Sequence, residues 1–351
     1  MIRDRGLFGR RTRSFTLQWH LTNACAGHCR HCYDRSDRGE LDLPQALRVL
    51  ADLRTFCRGR RVEARLCLSG GDPLLYRHFW EVYRAAAEAR LRISVLGNPI
   101  GLDTIRRLMD LRPPVYYQVS LEGLREHNDA VRGAGHFDRT LQFLLDARRL
   151  GLPTHVMLTL TRANLDEVLP LGELLRGLTA RFTFNRLSQV GEAADLESPS
   201  KREFAGLLRR YMSARRTNPV LGCKDNLFNI LRLHSGRKPL PGCTGFGCGA
   251  AFNFVALLPD GEVHACRKYP SPIGDVLQTG FDDIYDSPAA QRYREGPAAC
   301  RGCRLRNVCG GCPAVSFGEG LRPLEDRDPY CFLSDRFECL SVPRSSRPWH
   351  T

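Results

Sequence analysis

Apolar and β-branched residues cluster in six short runs along the first half of the chain. The runs are Phe15–Leu21, Arg65–Ser69, Arg92–Leu96, Val115–Leu121, Thr154–Leu160 and Arg181–Leu187. Between them, apolar residues recur with the spacing of amphipathic helices at Leu43–Cys57, Phe79–Ala89, Leu102–Leu111, Phe137–Leu150 and Leu165–Leu178. Strands that alternate with helices form parallel βαβ units. The pattern therefore predicts an α/β fold with a closed or partly closed (β/α)6 barrel, whose active site would lie at the carboxyl ends of its strands.

The pattern changes after about residue 195. Asp195–Arg202 is polar and contains Ser-Pro, which is typical of a linker, and a helix is expected over Arg202–Ala214. From Gly222 onward Gly, Pro and Cys dominate, and no regular period remains. We therefore expect a barrel at residues 14–195, a linker with a bridging helix at 196–222, and a cysteine-rich domain at 223–340.

The charge of the chain adds little to this picture. The 351 residues carry a net charge of +14, but only four of the 52 basic residues are lysine and no long basic block stands out. Solvated arginine faces explain the charge better than a nucleic-acid partner does. No run approaches the roughly 18 apolar residues of a membrane span, and no apolar core of a secretory signal follows the arginine-rich N-terminus. We expect a cytoplasmic protein that binds neither nucleic acid nor membrane.

Three of the 15 cysteines follow directly on the first predicted strand, as Cys25, Cys29 and Cys32 in the spacing C-x3-C-x2-C. In the reduced cytoplasm, dense cysteine indicates metal binding or catalysis more often than disulfides. Structural zinc takes four ligands, and iron–sulfur clusters usually take four thiolates. Three thiolates on a four-iron cluster leave one iron open for a ligand from outside the protein. The alternative is three buried or zinc-bound cysteines with a distant fourth ligand.

A second cysteine array lies in the C-terminal region. Its members are Cys243, Cys248, Cys266, Cys300, Cys303, Cys309, Cys312 and Cys331. The two C-x2-C pairs are separated by five residues, too few for a zinc ribbon, which needs about 12–20. Eight cysteines divide naturally into two sites of four thiolates. Of the remaining four, Cys57 and Cys67 are expected to be small core residues, and Cys223 and Cys339 to be structural or redox thiols.

Both arrays match known signatures. The stretch around Cys25 resembles the C-x3-C-x-Φ-C motif of the radical S-adenosylmethionine (SAM) superfamily, with His31 in the aromatic position and Tyr33 after it. That resemblance implies a cluster whose open iron chelates SAM and whose electron splits it into methionine and a 5′-deoxyadenosyl radical, which abstracts hydrogen from substrate. The second array resembles the SPASM domain of radical SAM peptide maturases. By position, one auxiliary cluster would take Cys243, Cys248, Cys266 and Cys312, and the other Cys300, Cys303, Cys309 and Cys331, for three [4Fe–4S] clusters in all.

The resemblance also implies contacts to SAM. The segment Gly70, Gly71, Asp72 and Pro73 ends the second strand and is similar to the family's Gly-Gly-Glu-Pro, although the same residues also form plain turns. Asp72 replaces the usual glutamate, so only the backbone role is expected to carry over. The other expected SAM contacts are Ser120 after the fourth strand, Arg132, whose alternative is a solvated loop arginine, and Asn185 after the sixth strand.

The resemblance covers residues 14–340 and implies a radical SAM maturase that oxidatively modifies a ribosomally made, Cys-containing peptide. Stretches such as Leu96-Gly-Asn-Pro and Phe184-Asn-Arg-Leu-Ser are similar to maturases assigned to thio(seleno)oxazole formation. A sulfatase-type formylglycine maturase, a tetrapyrrole-modifying enzyme and a non-enzymatic metal protein that binds nucleic acid are the alternatives. Only about 13 residues precede the first strand, so a separate leader-recognition protein is expected, with a flavodoxin- or ferredoxin-type electron donor.

Overall fold

The computed structural model describes residues 2–3, 11–240 and 247–333. All six predicted strands are present, and each pairs in parallel with the next along the chain. They are β1 (Ser14–His20), β2 (Glu63–Ser69), β3 (Arg92–Leu96), β4 (Tyr117–Ser120), β5 (Thr154–Leu160) and β6 (Arg181–Arg186). The prediction of parallel βαβ units is therefore confirmed.

The helices of the first half also follow the predicted pattern. They are α1 (Leu43–Gly59), α2 (Phe79–Glu88), α3 (Leu102–Leu111), α4 (Arg125–Arg132), α5 (His136–Arg149) and α6 (Val168–Leu174). Asp42 caps α1 by accepting a hydrogen bond from the Gln45 backbone, as Asp and Pro at that start predict. Helix α4 was not predicted, because Asn128 is its one buried residue and no apolar stripe marks it. The helix predicted over Leu165–Leu178 is shorter, with a 3-10 turn before α6.

The C-terminal region contains elements that its sequence did not predict. After α7 (Lys201–Ala214), which confirms the bridging helix, come α8 (Phe228–His234), β7 (Phe254–Leu257), β8 (Glu262–His264), β9 (Pro272–Asp275), α9 (Phe281–Asp286), α10 (Pro288–Glu295) and α11 (Pro313–Gly318). Two short strands, Ile2–Arg3 and Arg11–Thr12, pair with each other before β1. The predicted domain boundaries stay a prediction.

One sheet of nine strands joins the two halves of the chain, in the order β9-β8-β7-β1-β2-β3-β4-β5-β6. Strand β7 lies parallel to β1, with Thr16 opposite Phe254 and Trp19 opposite Leu257. Strands β6 and β9 form opposite edges of this sheet. The barrel is therefore partly closed, as one of the two expected forms.

The core continues across both halves. The ring of Phe56 on α1 lies 4.8 Å from that of Phe15 on β1 and 5.4 Å from that of Tyr285 on α9, and all three side chains are buried. Fully burying such a side chain contributes about 1.5–3 kcal/mol. The same face of α1 thus packs on both the barrel and the C-terminal region. In the described ranges, no helix has both the length and the apolarity that crossing a membrane requires.

Candidate active site

A cavity of about 540 Å³ lies at the carboxyl ends of the barrel strands, where the strand pattern predicts an active site. Every barrel strand or the turn that follows it contributes to the wall, through His20, Ser69, Leu96, Ser120, Thr159 and Asn185 among others. The loop after β1 supplies Cys25, Cys29 and Cys32, and Arg267 and Lys268 of the C-terminal region complete the wall. Ser120, Asn185, Gly70, Gly71 and Arg132, all expected at this site, line the same space.

The three cysteines after β1 converge on this cavity and remain partly exposed to it. Gly27 lies between two of them: a Cβ built on it would be 3.5 Å from Cys25 Sγ and 3.7 Å from Cys29 Sγ. The Gly27 backbone N–H donates to Cys25 Sγ at 3.3 Å, and the Cys32 N–H donates to the Cys29 carbonyl at 3.1 Å. The loop is therefore wound so that all three thiols face one space.

The Gly70-Gly71 turn holds that loop against β2. The N–H of Gly71 donates to the Thr22 carbonyl, and the N–H of Asp72 donates to the Ala24 carbonyl, each at 2.8 Å. A Cβ on Gly71 would lie 2.5 Å from the Ala24 oxygen, and one on Gly70, whose φ is +146°, would lie 2.3 Å from the Thr22 oxygen. Only glycine allows so close an approach of two backbones. The turn therefore positions the cysteine loop as well as lining the cavity.

Asp72 and Pro73 lie behind the cavity wall. The Asp72 carboxylate caps the turn at Pro73–Leu75 by accepting from the Leu74 N–H, and its other oxygen accepts from Asn98 Nδ2 at 3.0 Å. Asn98 itself lines the cavity, and its Nδ2 lies 3.7 Å from Cys25 Sγ. Asp72 therefore reaches the cysteine loop through Asn98, a residue that the sequence did not single out as a site residue.

Replacing Gly71 with alanine should displace the cysteine loop, because the added methyl group cannot coexist with the Ala24 carbonyl at 2.5 Å. We expect Gly71→Ala to lose most of the iron of the first site and most SAM cleavage, measured as iron content and 5′-deoxyadenosine after anaerobic reconstitution. Gly59→Ala is the matched control, since nothing lies within 4 Å of a Cβ there. Equal iron and equal cleavage in both variants would contradict this role.

Glu122, the residue that follows Leu121 after β4, is the centre of a buried charge cluster. Its Oε1 accepts from Arg132 Nε at 2.9 Å and Nη2 at 2.5 Å and lies 2.8 Å from His31 Nε2, while its Oε2 accepts from the Thr159 N–H at 2.7 Å. Burial opposes ionisation of Glu122, but its ion pair with Arg132 and its contact with His31 outweigh burial and hold its pKa well below the usual range. Arg132 Nη1 lies 3.8 Å from Cys29 Sγ. The Arg132 side chain is only 12% exposed and is paired with Glu122, so the alternative of a solvated loop arginine is wrong.

Asn185 and Arg186, at the end of β6, have different environments. Asn185 lines the cavity, whereas the Arg186 guanidinium is committed to two carboxylates: its Nη atoms donate to Asp328 at 2.8 Å each, and its Nε donates to Asp225 at 2.7 Å. Burial disfavours the charge of Arg186, but the two carboxylates outweigh it and raise its pKa further. Asp328 also accepts the backbone N–H of Cys312 at 2.8 Å. This ion pair therefore ties the last barrel strand to the cysteine array.

Four cysteines of the array share a second cavity of about 570 Å³. They are the four that the resemblance assigns to one auxiliary cluster, namely Cys300, Cys303, Cys309 and Cys331. Burial raises the pKa of each of the Cys300, Cys309 and Cys331 thiols, and neighbouring thiolates of the same group raise it further. Thiols crowded in this way favour a metal centre that stabilises their ionised form.

Three cysteines of the other assigned set lie around Tyr269. Burial raises the pKa of the Tyr269 hydroxyl, and the nearby thiolates of Cys266, Cys248 and Cys312 add to that rise. Cys243, the fourth expected ligand, lies outside the described residues. Cys248 also lies beside Cys309 of the other set, because its backbone N–H donates to the Cys309 carbonyl at 3.0 Å. The division of the array into two sets of four therefore stays a prediction.

The donor set fits iron–sulfur clusters. Within residues 2–3, 11–240 and 247–333, no three His, Cys, Asp or Glu side chains are arranged to hold one metal ion. Thiols spaced around a cavity suit a four-iron cluster, in which each thiolate binds its own iron. His31 Nδ1 is buried without a hydrogen-bond partner among the described residues, which leaves a polar atom for a bound ligand beside the cysteines.

The C-terminal region contributes a cationic wall to the cavity. Arg267 Nη1 donates to the Tyr33 hydroxyl at 3.1 Å, and that hydroxyl lies 3.3 Å from His20 Nε2. Burial and the Arg267 charge lower the pKa of His20 to about 3, so His20 is neutral at pH 7. Burial lowers the pKa of Lys268 to about 8. The sequence analysis did not identify Arg267 and Lys268 as site residues. Their position directly after Cys266, an expected cluster ligand, could have indicated them.

The cysteines outside the two arrays have the expected settings where they are described. Cys57 and Cys67 are buried in the core, and burial raises the pKa of each thiol to about 12. Cys223 is partly buried, with its Sγ 3.6 Å from Met212 Sδ. Cys339 lies outside the described residues.

Comparison with known proteins places this geometry in a family. The family model of the radical SAM superfamily matches residues 19–175, and that of the SPASM iron–sulfur cluster-binding domain matches residues 248–313. The mycofactocin maturase MftC of Mycobacterium ulcerans is 31% identical over 337 residues, covering 90% of this chain and 87% of that protein. The AdoMet-dependent heme synthase of Methanosarcina barkeri is 26% identical and covers 90% of this chain and 95% of that protein.

A solved structure shares the fold. The crystal structure of Streptococcus suis SuiB bound to its precursor peptide SuiA superposes with a TM-score of 0.69 at 17% identity, covering 91% of this chain and 76% of that one. The similarity therefore spans the barrel, the bridging helix and the cysteine-rich region together. The chain belongs to the radical SAM superfamily and contains a SPASM iron–sulfur cluster-binding domain.

Proposed function

We propose that the chain is a peptide maturase that uses SAM and three [4Fe–4S] clusters to oxidise a ribosomally made, Cys-containing peptide. The observation that carries the proposal is the single cavity into which the three-cysteine loop, the barrel strand ends and the SPASM region all open. A peptide is favoured because MftC is named a maturase and SuiB was solved with a precursor peptide. Membership of the superfamily excludes the non-enzymatic alternative.

The residues of the cavity have separate tasks in this proposal. Cys25, Cys29 and Cys32 hold the first cluster, which supplies the reductive cleavage of SAM when it is bound. The other expected contacts of SAM are Gly70, Gly71, Asp72, Pro73, Ser120, Arg132 and Asn185. Asp72 and Pro73 act from behind the wall, by shaping the turn and orienting Asn98.

The array holds the two auxiliary clusters in the sets assigned above, with Cys243 completing the set around Tyr269. Sites in which all four ligands are thiolates leave no iron open to substrate, so they suit electron transfer or structural support. A flavodoxin- or ferredoxin-type protein would supply electrons, and a separate leader-recognition protein would deliver the peptide.

The proposal is tested by anaerobic purification, reconstitution, reduction and addition of SAM. We expect about twelve irons per chain, from three cubane clusters, together with 5′-deoxyadenosine. Zinc in place of iron, or iron without formation of any 5′-deoxyadenosine, would refute the proposed function. The peptide to add is a short one encoded beside the gene.

Product mass separates the two peptide chemistries. Oxidation of a cysteine into a thiazole-type ring keeps the sulfur in the product, whereas conversion to formylglycine replaces it with oxygen. We expect retention of sulfur, in line with the resemblance to thio(seleno)oxazole maturases. Sulfur loss would instead assign the chain to the sulfatase-type class.

A tetrapyrrole-modifying activity is the second candidate. The 26% identity to a heme synthase along 90% of the chain favours it. Loss of carbon dioxide from an added iron porphyrin, with no change in any peptide, would select this function over the first.

A further inference from the structure

The cavity is unevenly charged. Five cations line it, at Arg35, Arg132, Arg186, Arg267 and Lys268, against the single carboxylate of Asp34 among the described residues. Asp34 Oδ1 already accepts from the backbone N–H and the hydroxyl of Ser36, at 2.9 and 2.6 Å. Lining carboxylates therefore do not balance the lining cations.

Four of the five cations have protein partners. Arg132 donates to Glu122, Arg186 to Asp225 and Asp328, Arg35 to the Cys29 carbonyl, and Arg267 to the Tyr33 hydroxyl. Lys268 differs: in the described part of the chain, its ammonium group makes no hydrogen bond and no ion pair with a carboxylate, and the opposite charges that act on it are the thiolates of Cys312 and Cys266. An ammonium in a partly desolvated cavity without a hydrogen-bonded carboxylate is costly, which favours an anionic ligand there.

The backbone of Lys268 is fixed on the SPASM side of the cavity. Its carbonyl oxygen lies 3.3 Å from Ser188 Oγ, whose hydroxyl donates to the Ala314 carbonyl at 2.6 Å. The next residue, Tyr269, is 4% exposed. Tyr269 is thus buried in the SPASM region, while the Lys268 side chain lines the cavity wall. The neighbouring cations Arg267 and Lys224 add positive charge, which attracts an anion, while the thiolate of Cys312 adds negative charge on the array side.

We propose that Lys268 binds a carboxylate of the peptide substrate and so sets which part of the peptide enters the SAM cavity. This inference rests on the proposed maturase function. The carboxylate is either the peptide's C-terminus or an aspartate or glutamate side chain, and the two share the chemistry that an ammonium recognises. The thiolates of Cys266 and Cys312 also act on Lys268 electrostatically. The alternative role of Lys268 is therefore to stabilise the charge of the adjacent cluster.

The test uses the reconstituted enzyme and the Cys-containing peptide that the wild type modifies, labelled with fluorescein at its N-terminus. The peptide is made as free acid, as C-terminal amide, and with its acidic side chains replaced by amides. The Kd of each form is measured for wild type, Lys268→Met, Lys268→Arg and the exposed control Lys238→Met. We expect Lys268→Met to raise the Kd of the acid peptide on the order of 10- to 100-fold, with most of the affinity kept in Lys268→Arg and all of it in Lys238→Met.

The double-mutant cycle decides the assignment. For one of the neutralised peptides, wild type and Lys268→Met should bind equally, and that peptide identifies the C-terminus or the side chain as the source. If Lys268→Met weakens every peptide form by the same factor, or changes only the visible and EPR spectra of the clusters, the inference is wrong. A wild type that modifies no peptide would instead refute the proposed function, so the two failures are distinguishable.

Discussion

Replacement of Cys25 by alanine should abolish 5′-deoxyadenosine formation and remove about four irons per chain. Cys25 faces the cavity, accepts a hydrogen bond from Gly27 and lies 3.7 Å from Asn98 Nδ2. With three ligands from one loop, the loss of one leaves a cluster without enough thiolates to persist. The readouts are iron content, the visible spectrum and chromatographic quantification of 5′-deoxyadenosine after reduction with SAM present.

Cys57→Ala is the matched control, because Cys57 is buried in α1 away from both arrays. It should keep full iron and full cleavage, with only a modest loss of stability from one buried sulfur. Cys300→Ala should keep the first cluster and lose iron from the array. Cleavage retained in Cys25→Ala at the wild-type rate would refute the assignment of the first site.

Among substitutions of residues other than cysteine, Arg186→Ala should lower the free energy of unfolding most. It leaves the carboxylates of Asp225 and Asp328 buried without their cation, and breaking a buried pair in this way costs about 3–5 kcal/mol in the free energy of unfolding. The expected result is a lower melting temperature of the reconstituted protein. Because Asp328 also holds the Cys312 backbone, iron should be lost from the array at lower temperature too.

Arg106→Ala provides the comparison for an exposed pair. Its partner Asp103 lies at 2.9 Å, but both side chains are more than half exposed, and such pairs contribute about 0–1 kcal/mol. We expect a melting temperature close to that of the wild type. Equal effects in Arg186→Ala and Arg106→Ala would show that the buried pair does not join the barrel to the array.

The barrel was predictable because the apolar residues of its strands and helices follow local sequence patterns. Strand β5 is a short apolar run and helix α5 repeats apolar residues at helical spacing, so the local pattern was sufficient to predict both. Strand β7 was missed because Phe254–Leu257 is four residues long and lies among Gly and Cys without a period. Its place beside β1 is decided by pairing with a strand more than 200 residues away, which local sequence does not encode.

The candidate site was predictable where residue spacing alone specifies chemistry. The three cysteines after β1 and the Gly-Gly turn fall in this class. The partners of charged groups were not predictable, because the contacts of Glu122 with His31 and Arg132 exist only in the folded chain. Lys268 gained significance because it has no carboxylate partner among the described residues, which no sequence pattern displays.

The pairing of β1 with β7 has a consequence for biosynthesis. As the chain emerges from the ribosome, β1 can pair with β2 early, but its other edge stays unpaired until residues 254–257 have been made. An open, apolar strand edge is a template for association with other chains, and pairing this distant in sequence forms late. Truncation before β7 should therefore give an aggregating barrel, and any replacement of the C-terminal region would have to supply a strand for this edge of β1.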